Sequence, residues 1–291
     1  MMATPATTSA PTRPVLRYHG GKWRLAEWII SHFPPHDTYV EAFGGGASVL
    51  LRKPRSHGEV YNDLDSEIVN VFRVLRNADQ GKELERLLRL TPYSREEHRL
   101  SYKDTDDPVE MARRTILRSF QGFSSASVTK VHKTGFRANA SRNGTTPARD
   151  WSHYPAHISS FIERLQGVVI ENRDANEVIN QHDSKGALFY ADPPYPLGTR
   201  YAGAAWKDCY RHEMSDDDHR RLAETLHACK GMVIISGYAC DLYDKDLYSG
   251  WERVERGAYA DGALSRTEVL WLNPLTSRRQ GQQNLFVEGG R

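Results

Sequence analysis

Seven short runs rich in Val, Ile and aromatic residues are spread along the chain, and helical patterns stand between most of them. They are "TYVEAF" (38–43), "EVYND" (59–63), "GVVIENR" (167–173), "GALFYAD" (186–192), "GMVIISG" (231–237), "WERVERGAY" (251–259) and "TEVLWLNP" (267–274). Runs of this length and composition read as strands. "KWRLAEWIISHF" (22–33) sets Trp23, Ala26, Ile29, Ile30 and Phe33 on one helical face and is ended by Pro34 and Pro35. Asp65 is placed to cap "SEIVNVFRVLRN". Ser215 is placed to cap "SDDDHRRLAETLHACKG", which has an acidic first turn and stops at Gly231. Strands that alternate with helices pair in parallel, with helices on both faces of the sheet. An α/β fold is therefore expected.

The alternation breaks once. About ninety residues separate the helix after "EVYND" from the next clean strand. The segment 78–160 begins with helical patterns ("GKELERLLRL", "DPVEMARRTILRSF") and then becomes basic and turn-rich, so it reads as an inserted second domain flanked by 14–77 and 161–275. Residues 1–13 read as a disordered tail of small residues and Pro, with no apolar signal core, and 276–291 as a C-terminal tail. No run of about 18 apolar residues argues for a membrane span. The three cysteines, Cys209, Cys229 and Cys240, are odd in number and form no CxxC pair, which argues against a disulfide framework or zinc ribbon and for a reducing cytoplasm. His153 and His157 have helical ligand spacing but no neighbouring Glu; they read as surface histidines, and no metal is expected.

Net charge is only +2, but it is unevenly placed. From Met111 to Arg149 eight Lys and Arg stand without one Asp or Glu, and Phe120, Phe123 and Phe136 lie among them. Cations for phosphate, short polar side chains for positioning and rings for bases suit a nucleic acid. Arg118, Lys130, Lys133, Arg137 and Arg142 are the candidate contacts from this stretch.

Three motifs carry chemistry. "YVEAFGGGASVLL" (39–51) is strand, glycine turn and helix, a form that lets a nucleotide or adenosyl group approach the backbone; Val49 stands where a dinucleotide fingerprint has its third glycine. Upstream, "YHGGKW" (18–23) lacks the spacing of a Walker loop. Asp63, at the tip of the second strand, is the candidate for ribose hydroxyls, with Asp65 as helix cap. "ADPPY" (191–195) ends the fourth strand. Prolines stop the ladder there. The Asp192 carboxylate and the Pro193 carbonyl supply two acceptors for an exocyclic amine, and Tyr195 supplies a face for a base.

With "YHGGK", "VEAFGGGASV", "NDLD" and "ADPPY" in this order, the chain resembles the Dam-type, alpha-group, N6-adenine-specific DNA methyltransferases, over about residues 15 to 274. "YRHEM", "SGY" and "RTEVLWLNP" are similar to phage and prophage members. The resemblance implies a class I methyltransferase fold, with six parallel strands and the last antiparallel, and a target-recognition domain in the insertion. It implies S-adenosyl-L-methionine as cofactor, with Tyr18 and Lys22 at its methionine end, Phe43, Gly44 and Gly46 as its loop, Asp63 on the ribose, Asp174 near the adenine, and Asp192. It places Arg17 on DNA, and makes Asp192, Pro193 and Tyr195 the catalytic set acting on an adenine flipped from duplex DNA. A monomer in solution that can pair on DNA, in a bacterial or phage-infected cytoplasm, goes with this reading. The alternatives are N4-cytosine or RNA methylation by the same motif, and a catalytically silent DNA-binding regulator.

Overall fold

The computed structural model describes residues 10–131, 133–139, 144–200, 209–259 and 265–288, with side chains through 282 but for 258, 259, 265 and 266. The strands are β1 (Thr38–Glu41), β2 (Gly58–Asn62), β3 (Val168–Glu171), β4 (Ala187–Ala191), β5 (Met232–Tyr238), β6 (Glu252–Tyr259) and β7 (Ser265–Leu272). The helices are α1 (Ala26–Ser31), α2 (Ser48–Arg52), α3 (Ser66–Arg76), α4 (Ala78–Leu90), α5 (Arg95–Leu100), α6 (Pro108–Gln121), α7 (Pro147–His153), α8 (Ile158–Leu165), α9 (Ala175–His182), α10 (Asp216–Ala228) and α11 (Pro274–Glu288). They form two units. A sheet unit takes 24–45, 53–66 and 167–291, and a helical unit takes 1–23, 46–52 and 67–166.

In the sheet unit seven strands run in the order β3-β2-β1-β4-β5-β7-β6. The first five are joined by parallel ladders, and β7 is antiparallel to both of its neighbours. Each of the seven apolar runs became a strand. The chain builds β1, β2 and β3 toward one side and then restarts at β4 on the other side of β1. The strand order therefore reverses between β1 and β4, and in open α/β sheets ligands bind beyond the carboxyl ends of the strands at such a reversal.

Both faces of this sheet are buried, which is why a strand such as "ALFYA" reads as a continuous apolar run without alternation. Val40, Ala42, Val60, Phe189, Val233, Ile235, Val269 and Trp271 form one core with Val178 and Ile179 of α9 and Leu222 and Leu226 of α10. On the other face Phe33 packs against the rings of Tyr39 and Tyr190, at 5.6 Å and 6.1 Å. The α10 helix starts at the expected cap: Ser215 and Asp218 bond each other's backbone N–H in a capping box.

The helical unit buries Leu84, Leu88, Ile116, Leu117, Phe120, Trp151, Tyr154, Ile158 and Phe161. Its helices begin at side-chain caps, Asn77 for α4, Ser94 for α5, Asp107 for α6 and Thr146 for α7. The unit extends beyond the expected insertion of 78–160. Asn70 and Glu67, on α3, bond Pro108 O and the Arg118 guanidinium. The N-terminal segment is held too: Arg13 pairs with Asp150 at 3.2 Å and lies over the rings of Phe120 and Tyr154. The expected tail 1–13 is thus corrected at Arg13, and residues 1–9 lie outside the described residues. The expected C-terminal tail is also corrected. Pro274 ends β7 and opens α11, and Thr276 is fully buried, its hydroxyl bonded to Val233 and Asn273. The first helix is shorter than 22–33. Among the described residues no helix is long and apolar enough to cross a membrane.

One buried amide ties three strand tips together. Asn62, 1% exposed, donates to Ala42 O at 2.9 Å and Arg173 O at 3.0 Å, and accepts from Arg173 N–H at 3.0 Å. Removing it strands two carbonyls and one N–H away from water. Asn62→Ala is expected to cost about 2–4 kcal/mol of folding stability, the scale of several lost buried hydrogen bonds. Urea unfolding with an unchanged midpoint would refute this role.

Candidate active site

The glycine turn follows β1, and its residues are demanded for different reasons. Gly45 has φ of +46° and Ala47 has φ of +53°, so the left-handed positions are 45 and 47. A Cβ on Gly44 would lie 2.1 Å from the Tyr61 ring, so Gly44 is required by packing. Tyr61 in turn donates to Gly45 O at 2.8 Å. Phe43 packs against the core of the sheet unit. Asp63 stands beside this turn: Oδ2 accepts from Gly45 N–H at 2.8 Å, and Oδ1 from Asp65 N–H at 2.8 Å. Burial pushes its carboxyl up to about 6, against the pull of the backbone N–H groups of Asp65, Gly45 and Leu64. Asp65, expected as a helix cap, directs its carboxylate to Arg211 at 3.3 Å. Asp174 caps α9 through Asn176 N–H at 2.9 Å, so one of its oxygens serves the helix.

Beyond β4, Asp192 is half-buried and Pro193 buried. Ser236 Oγ, on β5, donates to Asp192 Oδ1 at 2.7 Å and lies 3.1 Å from the Tyr190 hydroxyl. The Tyr195 ring meets the edge of Tyr238 at 4.7 Å between centroids and 75° between planes. Its hydroxyl donates to Glu268 of β7. Burial first, then the Asp192 and Glu268 carboxylates, push the phenol well above its ordinary value, so it stays a donor. Arg200 Nε donates to Tyr195 O at 2.9 Å, and Arg200 pairs with Glu213 at 2.7 Å. Ser236, Tyr238, Glu268 and Arg200 were not assigned from the sequence. Two of them left a signal: Ser236 and Glu268 are polar residues inside otherwise apolar strands, and both are buried.

In the helical unit, Lys22 is 6% exposed and donates to Gly20 O at 2.7 Å. Tyr18 is half-buried, and a Cβ on Gly46 would lie 3.3 Å from Tyr18 Cβ. The Arg17 backbone is bonded to Ser119 Oγ at 2.6 Å. One expected DNA contact is corrected. Arg118 is 1% exposed and donates to Ser101 O, Thr115 Oγ1 and Glu67, so it organises the unit's interior. Lys130 pairs with Glu67 at 2.9 Å and Asp104 at 3.0 Å. Arg113 and Arg114 pair likewise with Glu97 and Glu110. These acids precede the basic stretch in sequence, which is why a count within the stretch missed them. Lys133 and Arg149 are exposed, Arg137 is half-buried, and Arg142 lies outside the described residues. Of the three phenylalanines, Phe120 is buried and Phe123 is 72% exposed. Arg118→Ala removes several buried hydrogen bonds while Glu67 keeps Lys130, so it is expected to cost about 2–4 kcal/mol of stability. The salt dependence of DNA binding should be unchanged, and a shallower salt slope in a folded Arg118→Ala protein would return this residue to the DNA interface.

The model of the D12 class N6 adenine-specific DNA methyltransferase family matches residues 18–258. The chain is 24% identical over 258 residues to a DNA adenine methylase of Haemophilus influenzae, covering 82% of this chain and 83% of that one. It is equally 24% identical over 251 residues to a DNA adenine methylase of Serratia marcescens, covering 81% and 87%. Similarity to the type II methyltransferase M1.LlaDCHI of Lactococcus lactis subsp. cremoris is 24% over 284 residues, covering 90% and 95%. With the glycine turn and Asp-Pro-Pro-Tyr at the tips of adjacent strands β1 and β4, and a family match over most of its length, this chain belongs to the D12 class of N6 adenine-specific DNA methyltransferases.

Proposed function

We propose that the protein transfers a methyl group from S-adenosyl-L-methionine to N6 of an adenine flipped out of duplex DNA, and that Asp192, Pro193 and Tyr195 act on that base. The observation that carries this is Asp192 at the end of β4, with Oδ1 pinned by Ser236 beside the switch point of the sheet. A paired adenine hides its amine inside the duplex, so the base must leave the stack. The Asp192 carboxylate and the Pro193 carbonyl accept the two amine hydrogens and aim the nitrogen lone pair. Tyr195 offers its face to the base.

The sheet unit fits the cofactor by its donor set. Asp63 is a half-buried carboxylate at the tip of β2, beside the left-handed Gly45, and suits a pair of ribose hydroxyls. Phe43 and Gly44 go with it; Asp174 is assigned to the cofactor adenine on the resemblance. When bound, S-adenosylmethionine supplies an electrophilic methyl group. The roles of Tyr18, Lys22 and Gly46 in the helical unit rest on the resemblance and are tested apart, by cofactor affinity in Lys22→Ala. Lys133, Arg137, Arg149 and Arg17, with the exposed ring of Phe123, are assigned to DNA.

Asp192→Asn keeps the size but turns an N–H2 toward the substrate amine. Methyl transfer should fall on the order of 100- to 1000-fold in single turnover at saturating cofactor. Near wild-type transfer would remove this acid from catalysis. Tyr195→Ala should weaken capture of the flipped base by about 1–3 kcal/mol.

Asp63 gives a pH dependence with a definite sign. Its carboxyl is ionised above about 6 and protonated below. Only the ionised form accepts both hydroxyls, so cofactor affinity should fall as pH drops through this value, approaching about tenfold per pH unit. Calorimetry across this range should show the fall in the wild type and a flat profile in Asp63→Asn; equal slopes would exclude Asp63.

Among the described cations of 111–149 four are held in ion pairs, and Lys133, Arg137, Arg149 and Arg17 make about four contacts, so the log–log salt slope of DNA binding should lie at about −3.6. A slope of −6 or steeper would mean that the paired cations also reach phosphate.

A further inference from the structure

Glu268 lies in the interior of β7, followed by Val269, Leu270, Trp271 and Leu272, all buried. It is itself 3% exposed. A carboxylate in such a place is costly unless hydrogen-bonded, and the Tyr195 hydroxyl donates to it. The topology brings the pair together. β7 runs antiparallel beside β5 with Tyr238 opposite Glu268, and the Tyr238 ring meets Tyr195 edge-on at 4.7 Å. The other end of the residue is held as well, since Arg200 donates to Tyr195 O at 2.9 Å.

Stacking alone would be served by any aromatic ring. A phenol differs from phenylalanine only by a hydroxyl, and here the hydroxyl is anchored on the sheet while part of the residue remains exposed. We propose that Glu268 is a positioning residue for Tyr195: by accepting the phenolic hydrogen it fixes the plane of the ring before the target base arrives. The proposal rests on the reading of Tyr195 as the stacking face. A ring already held in place loses less rotational freedom when a base settles on it, so the gain belongs to capture and alignment of adenine and not to the cofactor.

The test is a double-mutant cycle between Glu268→Ala and Tyr195→Phe, read by single-turnover methyl transfer, KM for DNA and cofactor affinity. Each single change should lower transfer about 10- to 100-fold, the range of one charge-assisted hydrogen bond. The double variant should be no worse than either single one. Glu268→Gln, whose amide oxygen still accepts, should recover most of the rate, and cofactor affinity should stay constant throughout. If Glu268→Ala fails to fold, Glu268→Met, which fills similar volume without an acceptor, takes its place in the cycle. A Glu268 change that lowers transfer in the Tyr195→Phe background as much as in the wild type, or that leaves the wild-type rate intact, overturns the proposal. Tyr195→Ala separates the two readings. A near wild-type rate there removes the stacking role of Tyr195 itself, whereas loss in Tyr195→Ala with additive Glu268 effects removes only the role of Glu268.

Discussion

The carboxyl edge of the sheet hangs on the side-chain amide of Asn62. A primary amide can donate twice and accept at the same time, and this one does so between Ala42, after β1, and Arg173, after β3. An aspartate has the same shape but no hydrogen for the two carbonyls. With the three tips locked, Gly44 N–H reaches Asn62 O at 2.7 Å, and the next residue, Asp63, reaches Gly45 N–H. The glycine turn and the acid beside it are thus set by a residue with no chemistry of its own.

Buried and half-buried carboxylates gather at that edge. Glu41 accepts from Tyr39 at 2.7 Å, Asp63 from two backbone N–H groups, Asp192 from Ser236, and Glu268 from Tyr195. Each acid meets a neutral donor. Such a bond satisfies the oxygen it reaches and brings no charge of its own. The helical unit does the opposite. Arg113, Arg114, Arg118 and Lys130 are matched with acids and cross-link α3, α5, α6 and the loop that follows α5.

Much of the architecture was legible because its signals are local. A glycine before a β-branched run, a Ser–Asp box before a helix and a double proline after a strand each act within a few residues, and β4, α10 and the end of β4 formed as those signals imply. The family was legible because its motifs are short and stand at strand tips. Burial is not local, and the basic stretch shows why. Its charges were counted correctly, but Glu67 and Asp104, which hold Arg118 and Lys130, lie earlier in the chain. Arg13 and Thr276 were assigned to tails on composition, and both are anchored by partners far away in sequence.

By itself the sequence determined the order of strands and helices, the left-handed turn that glycine allows, and the acid, prolines and ring at the end of the fourth strand. Tertiary structure decided which of these groups meet. Only the restart of the sheet at β4 beside β1 brings the glycine turn and Asp-Pro-Pro-Tyr to one edge. Only the antiparallel insertion of β7 next to β5 brings Glu268 to Tyr195, 73 residues away, as the pairing of β4 with β5 brings Ser236 to Asp192 across 44 residues. Strand neighbours are chosen by the packing of both faces of the sheet at once, and no window of sequence contains both partners of such a choice.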